Sequence, residues 1–159
     1  MKKDKNNAVE KKNIGFSLVG ISTKQFAIIE ENYDVNDSKN IIQTITDFGI
    51  DDINKGIEVL LEIRFKQKKQ IFLICQLACV FTIEVSDWER FLVVETNEIV
   101  FPRDFIMHLV VLTIGTIRGV LHTKMENTNL NKFVLPTLNV TELITKDIAF
   151  KLENLSKIN

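Results

Sequence analysis

The chain reads as one α+β domain. A long alternating strand pair fills its middle, helical patterning follows it, and 45% of its 159 residues are apolar, enough to bury a single core. From Asn13 to Glu31 the run NIGFSLVGISTKQFAIIEE is extended, with Phe16, Leu18 and Gly20 on one face, Val19 and Ile21 on the other, and a bend at Thr23 and Lys24. Between Tyr33 and Lys55 the pattern is ambiguous. Ile41, Ile42, Ile45 and Phe48 suit a short helix after Ser38 or a strand, and the segment reads as a crossover with some strand.

The clearest local signal follows. Ile57, Val59, Leu61, Ile63 and Phe65 alternate with more polar positions, and after a charged turn at Gln67 to Lys69 a second strand puts Ile71, Leu73, Cys75, Leu77, Cys79, Phe81, Ile83 and Val85 on one face. Pairing Phe65 with Ile71 unites the two apolar faces in one register, with Ile63 opposite Leu73 and Leu61 opposite Cys75. The other face of the second strand carries Phe72, Ile74, Ala78 and Val80, which ask for a cover, either a subunit or a client chain.

Helices come next. Ser86 caps a short one over Asp87 to Val94, and Phe101-Pro102 opens a long one whose apolar residues from Ile106 to Leu121 run almost all round. Gly115 and Gly119 leave one stripe of it open to close approach. Glu126 to Lys132 breaks the helix, Phe133 to Val140 is extended around Pro136, and Thr141 caps a last helix to about Leu155. The helices gather on one side of an antiparallel sheet.

A formal charge of −1, from 20 basic and 21 acidic side chains, supplies no field for nucleic acid or an anionic membrane. Cys75 and Cys79, about 13 Å apart along a strand, cannot bridge each other, which fits a reducing compartment. Residues 1–13 are polar and read as a disordered basic tail without a secretory signal. The most apolar stretch, Phe105 to Leu121, contains His108 and Arg118, and its longest run without an ionisable group, Leu109 to Ile117, falls short of the ~20 residues of a membrane span, so a cytosolic protein without membrane insertion is expected.

Chemistry finds little footing. His108 and His122 on a helix and two strand cysteines lack ligand spacing for a metal, and there is no phosphate loop, dinucleotide fingerprint or nucleophile elbow. Arg118 and His122 share a helix face, a pairing more common at a solvated or interface edge than in acid–base catalysis. Neither enzyme activity nor a cofactor is expected.

FSLVGISTK with its aromatic start and Thr-Lys bend, the paired GIEVLLEIRF and IFLICQLACVFTI, Phe101-Pro102 at the long helix, and Leu135, Pro136, Asn139 and Val140 together resemble the SecB family of export chaperones. The resemblance covers Phe16 to about Leu143. It implies a four-stranded antiparallel sheet with helices packed on one side, in a single domain over 14–155, and a homotetramer built as a dimer of dimers. It also implies an ATP-independent holdase that takes non-native polypeptides in apolar grooves, with Phe72, Ile74, Val80, Trp88 and Phe91 as client contacts. Export members carry carboxylates after the Thr-Lys bend to dock the motor SecA. Gln25 and Ile29 stand there instead, which argues against SecA docking. With a near-neutral charge and a longer interval from Phe101-Pro102 to Pro136, the chain looks like a divergent member, a group that includes chaperones dedicated to an antitoxin, so the client is a dedicated one such as an antitoxin or a precursor for export. An oligomeric scaffold that uses the sheet face only for self-association is the alternative.

Overall fold

The computed structural model describes residues 13–152. The tail expected over 1–13 therefore lies, save for Asn13, outside the described residues, as do positions 153–155 of the expected domain. Four antiparallel strands, β1 (Phe16–Ile28), β2 (Ile41–Asp51), β3 (Gly56–Gln67) and β4 (Gln70–Ile83), form a sheet in the order β1-β4-β3-β2. After a short helix α1 (Val85–Arg90), the strands β5 (Leu92–Val93) and β6 (Glu98–Phe101) make a small hairpin. The long helix α2 (Arg103–Met125) follows, then the one-turn α3 (Val140–Leu143), and β7 (Ile148–Lys151) closes the small sheet against β6.

One face of β3 and β4 is the core. Ile57, Val59, Leu61, Ile63, Leu73, Cys75, Leu77, Cys79 and Phe81 have no exposed surface, and α2 lies on them through Phe105, Ile106, Leu109, Val110, Ile117 and Leu121. By length and composition α2 is apolar enough to cross a membrane, yet here that apolar stripe is spent on the sheet.

The central hairpin differs from its expected register. Phe65 faces Leu73, Ile63 faces Cys75 and Leu61 faces Leu77, a slip of two residues from the pairing of Phe65 with Ile71. Because the side-chain period in a strand is two, the slip keeps both apolar faces together, which is why patterning alone left it undetermined. One residue of the slip comes from the turn and one from a bulge. The turn at Lys68, which has φ 55°, pairs Gln67 with Gln70 and Lys66 with Ile71, and Phe72 is the extra residue before Phe65 meets Leu73.

That bulge turns Phe72 onto the helix side, where it meets Phe65, Tyr33 and Phe133 at ring distances of 6.2, 5.1 and 5.5 Å. The outer face is correspondingly less apolar than expected. Gln25, Gln76 and Glu62 stand side by side across β1, β4 and β3, and Glu62 pairs with Arg64 and accepts from Gln76 Nε2 at 2.9 Å. Gln76 and Glu62 thus meet part of their own hydrogen-bonding need within the face.

Strand β1 carries two further bulges, at Val19 and Lys24. The first returns Ile21 to the helix side with Phe16 and Leu18 and sends Gly20 outward opposite Val80, against the expected alternation. The stretch left between helix and strand is β2, where tertiary pairing of Ile42 with Phe65 and Phe48 with Val59 settles the ambiguity. Residues 29–40 cross the sheet end to reach it. The buried Gln67 holds them there, accepting from Asp34 N at 2.7 Å and donating to the carbonyls of Asp34 and Asp37 at 3.1 and 2.9 Å.

Two helix assignments change. The first helix begins at Val85 with Glu84 before it, and Leu92 and Val93 are strand, because Asn97, at φ 57°, reverses the chain onto them. The last helix, expected from Thr141 to about Leu155, lasts one turn with Asn139 as its cap, and Ile148–Lys151 pairs with the otherwise free edge of β6. Local helical periodicity there yields to a ready-made strand partner.

Replacing Phe72 by Ala should destabilise the fold by about 3–5 kcal/mol in urea unfolding. A solvent-facing Phe72 would give under ~0.5 kcal/mol, and that value would refute the bulge-driven placement.

Candidate functional site

The five residues nominated as client contacts do not form one surface. Phe72 sits in the aromatic cluster just described. Trp88 is fully buried, its indole N–H donating to Asp52 Oδ1 at 3.2 Å, and Phe91 stacks on Phe105 and edges onto Phe101 at 5.8 and 5.3 Å. These three rings fasten parts of the protomer together. Ile74 is nearly buried between Ala27 and Arg64, and Val80, half-buried opposite Gly20, is the one with surface on the outer face.

Uncovered apolar surface lies instead beside α2. The helix runs along β1, with His108 5.5 Å from Phe16 near one end and Lys124 Nζ 5.1 Å over Phe26 near the other. Between those points Leu18, Ile21 and Leu112 are 44%, 56% and 39% exposed. An open hollow of about 510 Å³ between β1 and α2 is lined by Thr23, Gly115, Thr116, Gly119, Val120, Thr123 and Lys124. A Cβ added at Gly115 or Gly119 would meet no atom within 4 Å, so the approach these glycines permit is not made inside the described protomer.

The opposite flank is a groove between α2 and the extended return segment 133–139. Two adjoining hollows of about 490 and 400 Å³ share Arg118, Val134 and Leu135. Val111 and Val134 stand 51% and 68% exposed on its two walls, and Ile114 and Leu135 make its floor. Arg118 ties the walls together, donating from Nε to Leu135 O at 3.0 Å and from Nη2 to Pro136 O at 3.2 Å. His122, one turn on, lines the same groove, so the shared face expected of this pair is an edge of an apolar trough.

The sequence reading missed Val111, Val134 and Leu135. Its available signal was a cation, Arg118, set between two glycines in the mostly apolar stretch from Leu109 to Leu121. Both cysteines are free and buried in the core face, and burial pushes the Cys75 thiol up to about 11. Hydrogen bonds from the Asn54 side chain and backbone hold the Asp51 carboxyl below its ordinary value in the β2–β3 turn. Among the described residues no three His, Cys, Asp or Glu side chains stand close enough to hold a metal.

Comparison with protein-family models, with curated proteins and with solved structures returned no match to this chain.

The raised Cys75 value makes the neutral thiol the folded form. Its contribution to stability is therefore complete below the ordinary thiol value of 9.0 and lost as pH rises through about 11. Urea midpoints should fall across that window, and a Cys75→Ala variant, compared with the native chain, should remove the part of the slope that belongs to this thiol.

Proposed function

We propose that this chain is an ATP-independent holdase of SecB-like type, which acts by binding non-native polypeptide rather than by catalysis. The observation that carries the reading is the apolar surface left open along both flanks of one helix. A shallow open groove suits a binder of many sequences, because each contact is weak and no enclosed pocket selects one ligand shape. The groove walls at Val111 and Val134 are the client contacts in this proposal. Val80 remains as a separate contact on the outer face, whereas Phe72, Trp88 and Phe91 act as the packing that holds the groove's frame.

A cytosolic homo-oligomer, a dimer of dimers on the family resemblance, would multiply such grooves and convert weak contacts into useful affinity. The client is a dedicated one such as an antitoxin, or a spread of export precursors. Gln25, where export members place a carboxylate, pairs with Gln76 on a neutral part of the sheet, which favours the dedicated client over SecA docking. The sequence resemblance and the α+β architecture support this family reading, with no cofactor, nucleic acid or membrane insertion in it. A scaffold that only self-associates is the alternative, favoured by the glycine-lined hollow beside β1.

At stoichiometric ratios and without nucleotide, the full chain should suppress the aggregation of a chemically denatured model protein followed by light scattering. A folded oligomer that leaves the scattering curve unchanged would sink the holdase reading and leave the scaffold. Ile21→Asp with Leu112→Asp should convert the oligomer to smaller species in sedimentation velocity. An unchanged sedimentation coefficient would place the self-association surface elsewhere.

A further inference from the structure

The groove between α2 and segment 133–139 has a sign. Arg118 and His122 are, among the described residues, the only ionisable ones lining its two hollows, and no acidic side chain is among them. Among the described residues Arg118 makes no ion pair, its recorded bonds going to the carbonyls of Leu135 and Pro136. A guanidinium has five donors in a planar fork, and two carbonyl bonds leave charge and donors to spare. The cation therefore sits at the shared centre of an apolar trough with no anion of its own.

One wall also offers a backbone edge. Segment 133–139 is extended but belongs to neither sheet, and neither Val134 nor Thr137 makes a backbone hydrogen bond to the described protein. An extended chain laid in the groove can pair with the backbone groups of Val134, while its alternate side chains reach Val111, Ile114 and Leu135. Pro136, lacking an N–H, interrupts that pairing and keeps the edge short.

We propose that this groove selects extended apolar peptide segments bearing an acidic side chain near their centre, with the carboxylate paired to Arg118. The proposal rests on the reading that the chain binds non-native polypeptide and specifies which polypeptide. It follows from charge complementarity in a partly desolvated trough, where an unmatched like charge would be repelled and a carboxylate gains a charge-assisted bond.

The test uses fluorescein-labelled peptides of about twelve residues, Leu alternating with Thr, that differ only in a central Glu, Gln or Lys. Anisotropy titration of the full chain at about 50 mM salt should show the Glu peptide binding about tenfold tighter than the Lys peptide, falling to within about twofold at about 1 M salt. Arg118→Gln should remove the discrimination. Arg118 also braces segment 133–139, so Val134→Asp serves as a second variant: it puts a carboxylate on the exposed wall, leaves both Arg118 bonds in place and should erase or invert the preference.

Equal or tighter binding of the Lys peptide, no binding of any peptide, or a preference unchanged in both variants overturns the proposal. Aggregation suppression without charge discrimination would leave the holdase standing and this selectivity refuted. Discrimination without suppression would do the reverse.

Discussion

A single helix cannot cover a four-stranded sheet, and most of what is distinctive here follows from that mismatch. An α-helix with its side chains is about 10–12 Å across, whereas strands lie about 4.8 Å apart, so one helix masks about two strands. Helix α2 spends its coverage on β3 and β4, whose inner faces are fully buried. The strands on either side depend on other cover. On the β3 side the return segment supplies some, through Phe133 set 6.0 Å from Phe65 and Leu135 beneath Arg118. On the β1 side α2 reaches only the ends, over Phe16 and Phe26, and Leu18 and Ile21 between them remain exposed.

Polar groups fix the edges of this arrangement where apolar packing is thin. Gln67 is buried at the hairpin tip and bonds to three parts of the crossover, so the chain passes from one sheet edge to the other with only a single 3-10 turn, Glu30–Asn32, of its own. Asp87 does comparable work at the far end, accepting from Gly15 N at 2.8 Å and from Arg90 Nη1 at 2.6 Å, which joins the start of β1 to α1. Each is a buried acceptor whose loss leaves backbone donors without partners, and such sites cost more to break than the bonds are worth to make.

Much of the main sheet was legible because period-two alternation in GIEVLLEIRF and IFLICQLACVFTI speaks directly about burial. Register and bulges were not legible, since a slip of two residues or one extra residue leaves the composition of each strand intact. Phe72 shows the consequence: its parity put it on the outer face, and one bulge moved it into the core. The last strand was hidden for a different reason. Ile148, Ala149 and Phe150 fit a helix locally, and only the open edge of β6, some 50 residues earlier in sequence, makes them a strand. The groove was least legible of all, because Val111 and Val134 become walls only after 23 residues of α2 and a turn have been folded.

The two flanks of α2 are not independent surfaces. Gly115 and Gly119 line the hollow beside β1 and also the part of the groove that holds Arg118 and His122, so the same few ångströms of helix back both. Glycines carry no side chain to separate an approaching element from the helix backbone, and each costs about 1 kcal/mol of helix stability relative to alanine. Among the described residues nothing recovers that cost, because no atom outside the helix's own backbone and the neighbouring residues lies within 4 Å of where their Cβ atoms would be. On the proposed reading a second copy that approached the β1 flank through this stripe would bear on the wall of the client groove as well. Assembly and client binding would then share one element, and the glycines that weaken the isolated helix would be the place where the two are coupled.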